Sequence, residues 1–218
     1  MIIFLVIFAV VSIIHITFIS LKMETPRRVS KVLIIPPLLM AYLMGTGSPV
    51  FFVIPALVLG WLGDILLIKT NRRDYFKFGL ASFLLGHICY LLCFIECLGF
   101  FGSGGGSFNF MALVIYLPLA LIAGVLIFRF IKPAKGMVLP VIFYTIAIEA
   151  MTFGGLQVFI INPGLAGALI FAGCLCFMFS DTILSYKKFR KTKFLGANTV
   201  MVSYILAQAG IIIGLMQL

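Results

Sequence analysis

The chain has 218 residues, of which 63% are hydrophobic, 23 are Phe and only 10% are charged, with a formal net charge of +10. A soluble domain of this length would still need a polar coat, which this composition cannot supply, so lipid is the solvent for most of the protein. The positive charge lies in short turns between apolar runs, where it marks membrane topology and needs no nucleic acid to explain it.

Apolar runs bounded by charge or by Gly/Pro/Ser turns predict eight membrane spans, at approximately 2–21, 31–44, 50–68, 78–98, 110–129, 136–153, 161–185 and 195–216. The first lacks a basic leader and runs straight into further spans, so it reads as structure and not as a removed signal. The second and sixth are short and carry prolines near their starts, where a kink is expected. The fold class is therefore all-α, a polytopic membrane helical bundle of eight transmembrane helices forming a single integral membrane domain over 1–218.

All 16 Lys and Arg fall into four groups, 22–31, 69–77, 129–135 and 187–193, and the intervening turns at 45–49, 99–109 and 154–160 carry none. The positive-inside rule makes the four basic turns cytoplasmic and both termini non-cytoplasmic, which requires an even number of spans. A weak duplication accompanies this count. Lys31 precedes Pro36 as Lys135 precedes Pro140, and Gly63-Asp64-Ile65-Leu66 is echoed by Ser180-Asp181-Thr182-Ile183-Leu184. Four spans per half keep both copies in one orientation, as a parallel 4+4 internal repeat requires.

Asp64 and Asp181 are the residues that folding explains least. Each lies five or six positions before the next lysine, which places it roughly 8 to 9 Å inside the cytoplasmic boundary at the helical rise. Asn198 comes to the same level, His15 lies about a turn deeper or less, and His87 is nearer the midplane. A carboxylate facing lipid is costly, so both aspartates should face the protein interior, water or each other. The structural reading of either one alone is a link to backbone groups, to Asn198 or to a cytoplasmic lysine; two at matched depth favour a site. Two acids in a partly dry cavity can hold different protonation states and so provide a general acid and a general base. That chemistry suits hydrolysis of an acid-labile bond and suits proton-coupled transport equally well.

Further polar residues are candidate cavity walls. His87 and Tyr90 share a face, Tyr204 and Gln208 form a stripe on the last span, and Tyr144 lies mid-span; packing is the default reading for each. Trp61, one turn before Asp64, either walls a lipid tail or packs. Glu149 is about 21 Å above Lys135 at the helical rise, too far from the aspartate layer for direct chemistry, and reads as structural or as an outer gate. Cys89, Cys93 and Cys97 form one helical stripe and Cys174 and Cys176 sit in another span, a pattern of small packing residues and not of metal ligands. The stretch Gly102 to Ser107 reads as a flexible outer loop. No HExxH, GxSxG or histidine-rich metal pattern occurs, so no cofactor is expected.

The run Gly60-Trp61-Leu62-Gly63-Asp64 with Leu66, then Phe78-Gly79, Phe83, His87 and Tyr90, then Phe179-Ser180-Asp181, and finally Tyr204 with Gln208 resembles the lysoplasmalogenase family of membrane proteins, the YhhN-like proteins of bacteria and their animal counterparts. The similarity runs from Lys31 to Gln208. It implies hydrolysis of the vinyl ether bond of a lysoplasmalogen to a long-chain aldehyde and glycerophosphoethanolamine or glycerophosphocholine. It also implies that Asp64 and Asp181 are the essential acidic pair. The expected partners are then a lysophospholipid with a vinyl ether tail, water and surrounding membrane lipid. Lys31, Trp61, His87, Tyr90, Tyr144, Asn198, Tyr204 and Gln208 are candidates for binding the substrate, Lys31 toward its phosphate. A multi-pass protein of this kind is expected in the cell membrane of a bacterium or in an internal membrane, such as the endoplasmic reticulum, of a eukaryote.

Overall fold

A computed structural model describes residues 1–68, 73–102, 105–190 and 196–218. Among the described residues, nine α-helices and one 3-10 turn make up the regular structure, and there is no strand. The helices are α1 (Ile2–Ser20), α2 (Glu24–Val32), α3 (Ile35–Gly45), α4 (Val53–Ile68), α5 (Arg73–Cys97), α6 (Phe110–Ile131), α7 (Val138–Ile161), α8 (Leu165–Arg190) and α9 (Ala197–Leu215). Seven segments are long and apolar enough to cross a membrane, with α2 and α3 together counting as one, and α4 is a shorter apolar helix ending at the last described residue before the gap. The protein is a polytopic, all-helical membrane protein. Of the basic turns, Lys69, Arg72, Lys191 and Lys193 lie outside the described residues, as do two positions of the Gly/Ser loop.

The second span shows how the prolines act. An α-helix continuing past Val32 would need an N–H at position 36, and Pro36 has none. The chain breaks at Leu33 and Ile34, and α3 restarts with the proline pair in its first turn. The freed Val32 carbonyl accepts instead from the Trp61 indole Nε1 at 2.7 Å. Pro140 likewise falls in the first turn of its helix, α7, where a missing N–H costs nothing, and α7 follows directly on the 3-10 turn Lys135–Met137.

The turn expected at 154–160 is helical; the connection is Asn162-Pro163-Gly164 instead. Gly154 and Gly155, which looked like turn residues, are buried helix-packing positions, and a Cβ on Gly155 would stand 2.7 Å from Cys174 Sγ. The sixth span is thus a helix of 24 residues. At the other ends, α5 extends to Arg73 and α8 to Arg190, beyond the apolar runs that announced them.

The described chain forms two compact units, Met1–Cys93 and Phe94–Leu218. The division falls within α5, near its C-terminal end. In the first unit, α1 packs on α2 and α3, and both α2 and α3 touch α4. The α4–α5 seam is close: Ser82 Oγ donates to the Leu59 carbonyl at 2.6 Å, and a Cβ on Gly63 would collide with the Phe83 ring at 2.6 Å. In the second unit the tightest seam is α8 on α9, where a Cβ on Gly173 would meet Ile211 N at 2.8 Å and the Ala207 carbonyl at 2.9 Å. Ser180 Oγ reinforces it by donating to the Val200 carbonyl at 3.0 Å.

Candidate active site: two intramembrane carboxylates and their partners

Asp64 lies near the C-terminal end of α4, beside the Gly63–Phe83 contact that holds α5 against it. It is 3% exposed, and its Oδ1 stands 3.1 Å from Lys31 Nζ. Lys31 comes from the last turn of α2, so the Pro-induced break immediately after it and the indole bond from Trp61 together fix the segment that presents the ammonium. Lys31, expected nearer a substrate phosphate, reaches inward to the carboxylate. Trp61 spends its only donor on the α2 terminus and stays half-buried.

A second polar contact lies next to this pair. His15 Nδ1 is 2.8 Å from Ser30 Oγ, and Ser30 is the residue before Lys31. Both are buried. The depth estimate had placed His15 near the aspartate layer, and the α1–α2 contact brings it one residue of α2 away from the Lys31–Asp64 pair. Ser30 escaped the sequence reading because a serine beside a basic turn carries no signal of its own.

In the second unit Asp181 is 7% exposed on the inward face of α8, and the Tyr144 hydroxyl of α7 donates to its Oδ2. Tyr204 packs edge-on against Phe177, one turn before Asp181, and receives a long hydrogen bond of 3.4 Å from Gln208 Nε2. Tyr144 therefore contacts Asp181, Tyr204 lies a turn away against Phe177, and Gln208 lies a further turn along α9. Asn198 is half-buried in the first turn of α9. His87 and Tyr90 are each 1% exposed on α5, as a packed pair on one face requires.

Glu149 is bound to Tyr116, whose hydroxyl donates to Oε2 at 2.7 Å. The pair lines a groove of about 530 Å³ between α6 and α7, walled by Leu117, Ala120, Phe128, Ile146 and others, with Arg129 at one end. Thr145 and Glu149 face this groove, whereas Tyr144 faces α8, so Glu149 and the Asp181 layer occupy different faces of α7. Tyr116 is a further residue that sequence reading passed over; its one trace there is a phenol in an otherwise apolar run. Among the described residues no group of three or more His, Cys, Asp or Glu is placed to hold a metal ion.

The arrangement offers two buried carboxylates with unlike partners, an ammonium in one unit and a phenol in the other. Each is a group able to stabilise charge or exchange a proton within apolar surroundings. No curated protein and no solved structure matches the chain. A family description does match, over residues 26–215, a stretch that includes both aspartates and all of their partners named above except His15. By that match the chain belongs to the YhhN family.

Proposed function

We propose that this protein is a lysoplasmalogenase-type ether hydrolase, which cleaves the vinyl ether bond of a single-tailed lysoplasmalogen by acid–base catalysis with Asp64 and Asp181. Family membership supports the reading, and the observation that carries it is the unlike pairing of the two carboxylates, Asp64 with Lys31 and Asp181 with Tyr144. Asp181, which accepts from a neutral phenol, acts as the proton donor. It protonates the vinyl carbon remote from the ether oxygen, and the alkene π electrons form the new C–H bond. The resulting oxocarbenium ion is stabilised by Asp64, the carboxylate of the ion pair with Lys31. Water adds to the ether-bearing carbon while Asp64 takes its proton, and the hemiacetal collapses to a long-chain aldehyde and a glycerol hydroxyl. Two carboxylates divide the labour of glycosidases around a related cation.

The substrate's tail lies in lipid or against the Phe-rich spans, and its phosphate lies toward the cytoplasmic basic turns. The test is release of fatty aldehyde from choline and ethanolamine lysoplasmalogens by the purified protein. Asp64→Asn and Asp181→Asn should each fold and each lose turnover by at least about a hundredfold, the scale of a lost acid or base. Absence of turnover by the wild type on both headgroups refutes the proposal, and proton-coupled lipid flux in sealed vesicles in its place would establish a transporter.

A further inference from the structure

Helix α6 is the least covered of the spanning segments, and Ile131 at its last position is the one residue it buries. Its contact line with α7 opens into the groove of about 530 Å³. Small side chains hollow this groove out: Ala120 and Gly124 on α6 and Ala150 on α7 stand where larger residues would fill the space between two helices. The polar atoms along it are already used or covered. Thr145 Oγ1 donates to the Val141 carbonyl at 2.9 Å, and the Tyr116 hydroxyl is spent on Glu149 Oε2, while Oε1 of the same carboxyl is buried out of reach. A ligand in the groove therefore meets methyl, methylene and ring carbon, which suits a hydrocarbon chain and not a cation aimed at Glu149.

The two ends define the chain. One end is walled by rings: Tyr116 packs on Phe153 with centroids 5.3 Å apart, and Phe108 meets Phe153 edge-on at 6.0 Å. At the other end stands Arg129, thirteen residues along α6 from Tyr116 and so about 20 Å away. A methylene takes up about the volume of a water molecule, roughly 30 Å³, so the groove has room for one chain of about eighteen carbons. Arg129 is also the first of three cations at this mouth. Arg129, Lys132 and Lys135 are exposed and form no ion pair among the described residues. The sequence keeps acids away from them, since no Asp or Glu lies between Glu96 and Glu149. Three unpaired positive charges at the mouth of a chain-sized apolar groove are the complement of a lipid whose headgroup is net negative.

We infer that the α6–α7 groove is a binding site for an anionic phospholipid from the leaflet of the basic turns, with one acyl chain lying between Arg129 and Tyr116 and the phosphate held by Arg129. The second chain stays in the bilayer. Because the groove lies on a different face of α7 from the Tyr144–Asp181 contact, the site is separate from the aspartates, and the inference does not rest on the hydrolase reading. Occupancy covers a helix that the protein itself leaves bare.

Native mass spectrometry of the full-length protein, released from neutral detergent micelles, counts bound lipids and ranks their affinities. The probes are 1-palmitoyl-2-oleoyl phosphatidylglycerol and the phosphatidylcholine with the same chains. The wild type should hold one phosphatidylglycerol about tenfold or more tighter than phosphatidylcholine, since each basic residue near the surface gives roughly a fivefold gain for an anionic lipid. Arg129→Gln should lower phosphatidylglycerol affinity about fivefold, whereas Lys22→Gln, in another basic turn, should leave it unchanged. Ala120→Phe, which fills the groove, should lose the tightly held copy of either lipid. Equal binding of the two lipids by the wild type overturns the inference. So does an equal effect of Arg129→Gln and Lys22→Gln, the sign of unspecific attraction to positive charge, or unchanged binding in Ala120→Phe. Should Ala120→Phe fail to fold, dioctanoyl phosphatidylglycerol on the wild type takes its place: its chains are too short to fill the groove, so the tightly held copy should be missing, and binding equal to that of the long-chain lipid overturns the site. A protein dimer without bound lipid in the same spectra gives the groove to a second copy of the chain and overturns it too.

Discussion

Replacing Lys31 by Met asks how far Asp64 depends on its ammonium. The side chains are 17% and 4% exposed and 3.1 Å apart, so the pair is shielded from water on the carboxylate side and partly open on the lysine side. Removing one partner of a buried pair costs about 3–5 kcal/mol, because the remaining charge keeps its desolvation penalty and loses its compensation. The partial exposure of Lys31 puts this pair at the lower end, about 3 kcal/mol. For a chain of this size each kcal/mol moves the melting temperature by roughly 2–4 °C, so Lys31→Met should melt on the order of 10 °C lower. Thermal unfolding of the purified protein in micelles, followed by circular dichroism, measures it. Adding Asp64→Asn to the Lys31→Met background removes the buried charge and should restore stability to within about 1 kcal/mol of the wild type. A Lys31→Met protein that melts within about 2 °C of the wild type, or a double variant no better than the single one, refutes the reasoning.

Tyr144→Phe removes the hydrogen bond to Asp181. A hydrogen bond to an uncharged carboxylic acid contributes about 0.5–1.5 kcal/mol, so turnover of lysoplasmalogen should fall roughly two- to tenfold beyond any loss of folded protein, and unaltered turnover would count against Asp181 as the proton donor. Trp61→Phe leaves the Val32 carbonyl without its indole donor at a break that Pro36 enforces; a loss of about 1 kcal/mol in a melting experiment is expected, and none would mean that water replaces the indole freely. Gly173→Ala pushes a Cβ against backbone atoms of α9 at 2.8 and 2.9 Å, which cannot move as a side chain would; the expected cost is about 1–3 kcal/mol, read in the same way.

Much of this architecture is written in the apolar runs, because lipid forbids unsatisfied backbone and long continuous apolar runs meet that demand as helices, not as the alternating strands of a closed barrel. The aspartates were legible for the same reason: a carboxylate in such a run has no bland account that avoids a partner. Boundaries were legible only where charge or proline enforced them. Pro36 broke its span as expected, while Gly154 and Gly155 misled, since glycine signals a turn and a close helix contact with the same letter. Partners were the hardest part. Ser30 and Tyr116 gain their meaning from contacts made 15 and 33 positions away in the chain, and nothing local distinguishes them from other small or amphipathic residues of a membrane helix. A cytoplasmic lysine was among the expected partners of either aspartate, but Lys31 itself was read toward the lipid phosphate, because depth counted along helices ignores how far a lysine stem can reach.

The two carboxylates also differ in what holds their partners, and that difference makes the structural and chemical roles separable. Lys31 sits on a nine-residue helix that stops at a proline break and is pinned there by an indole bond; its ammonium compensates a buried charge, so its loss should be felt first in stability. Tyr144 sits in the middle of a 24-residue helix, and Asp181 sits on α8, whose backbone is locked to α9 through Gly173 and Ser180. A phenol on a rigid frame is a means of holding one oxygen of a carboxylic acid while the other faces a reacting group, a demand of chemistry and not of packing. If both aspartates were merely structural, Lys31→Met and Tyr144→Phe would both lower the melting temperature, and any activity would fall only in step with folded protein. The catalytic reading requires more of Tyr144→Phe: intact lipid binding and a reaction slowed beyond any loss of folded protein.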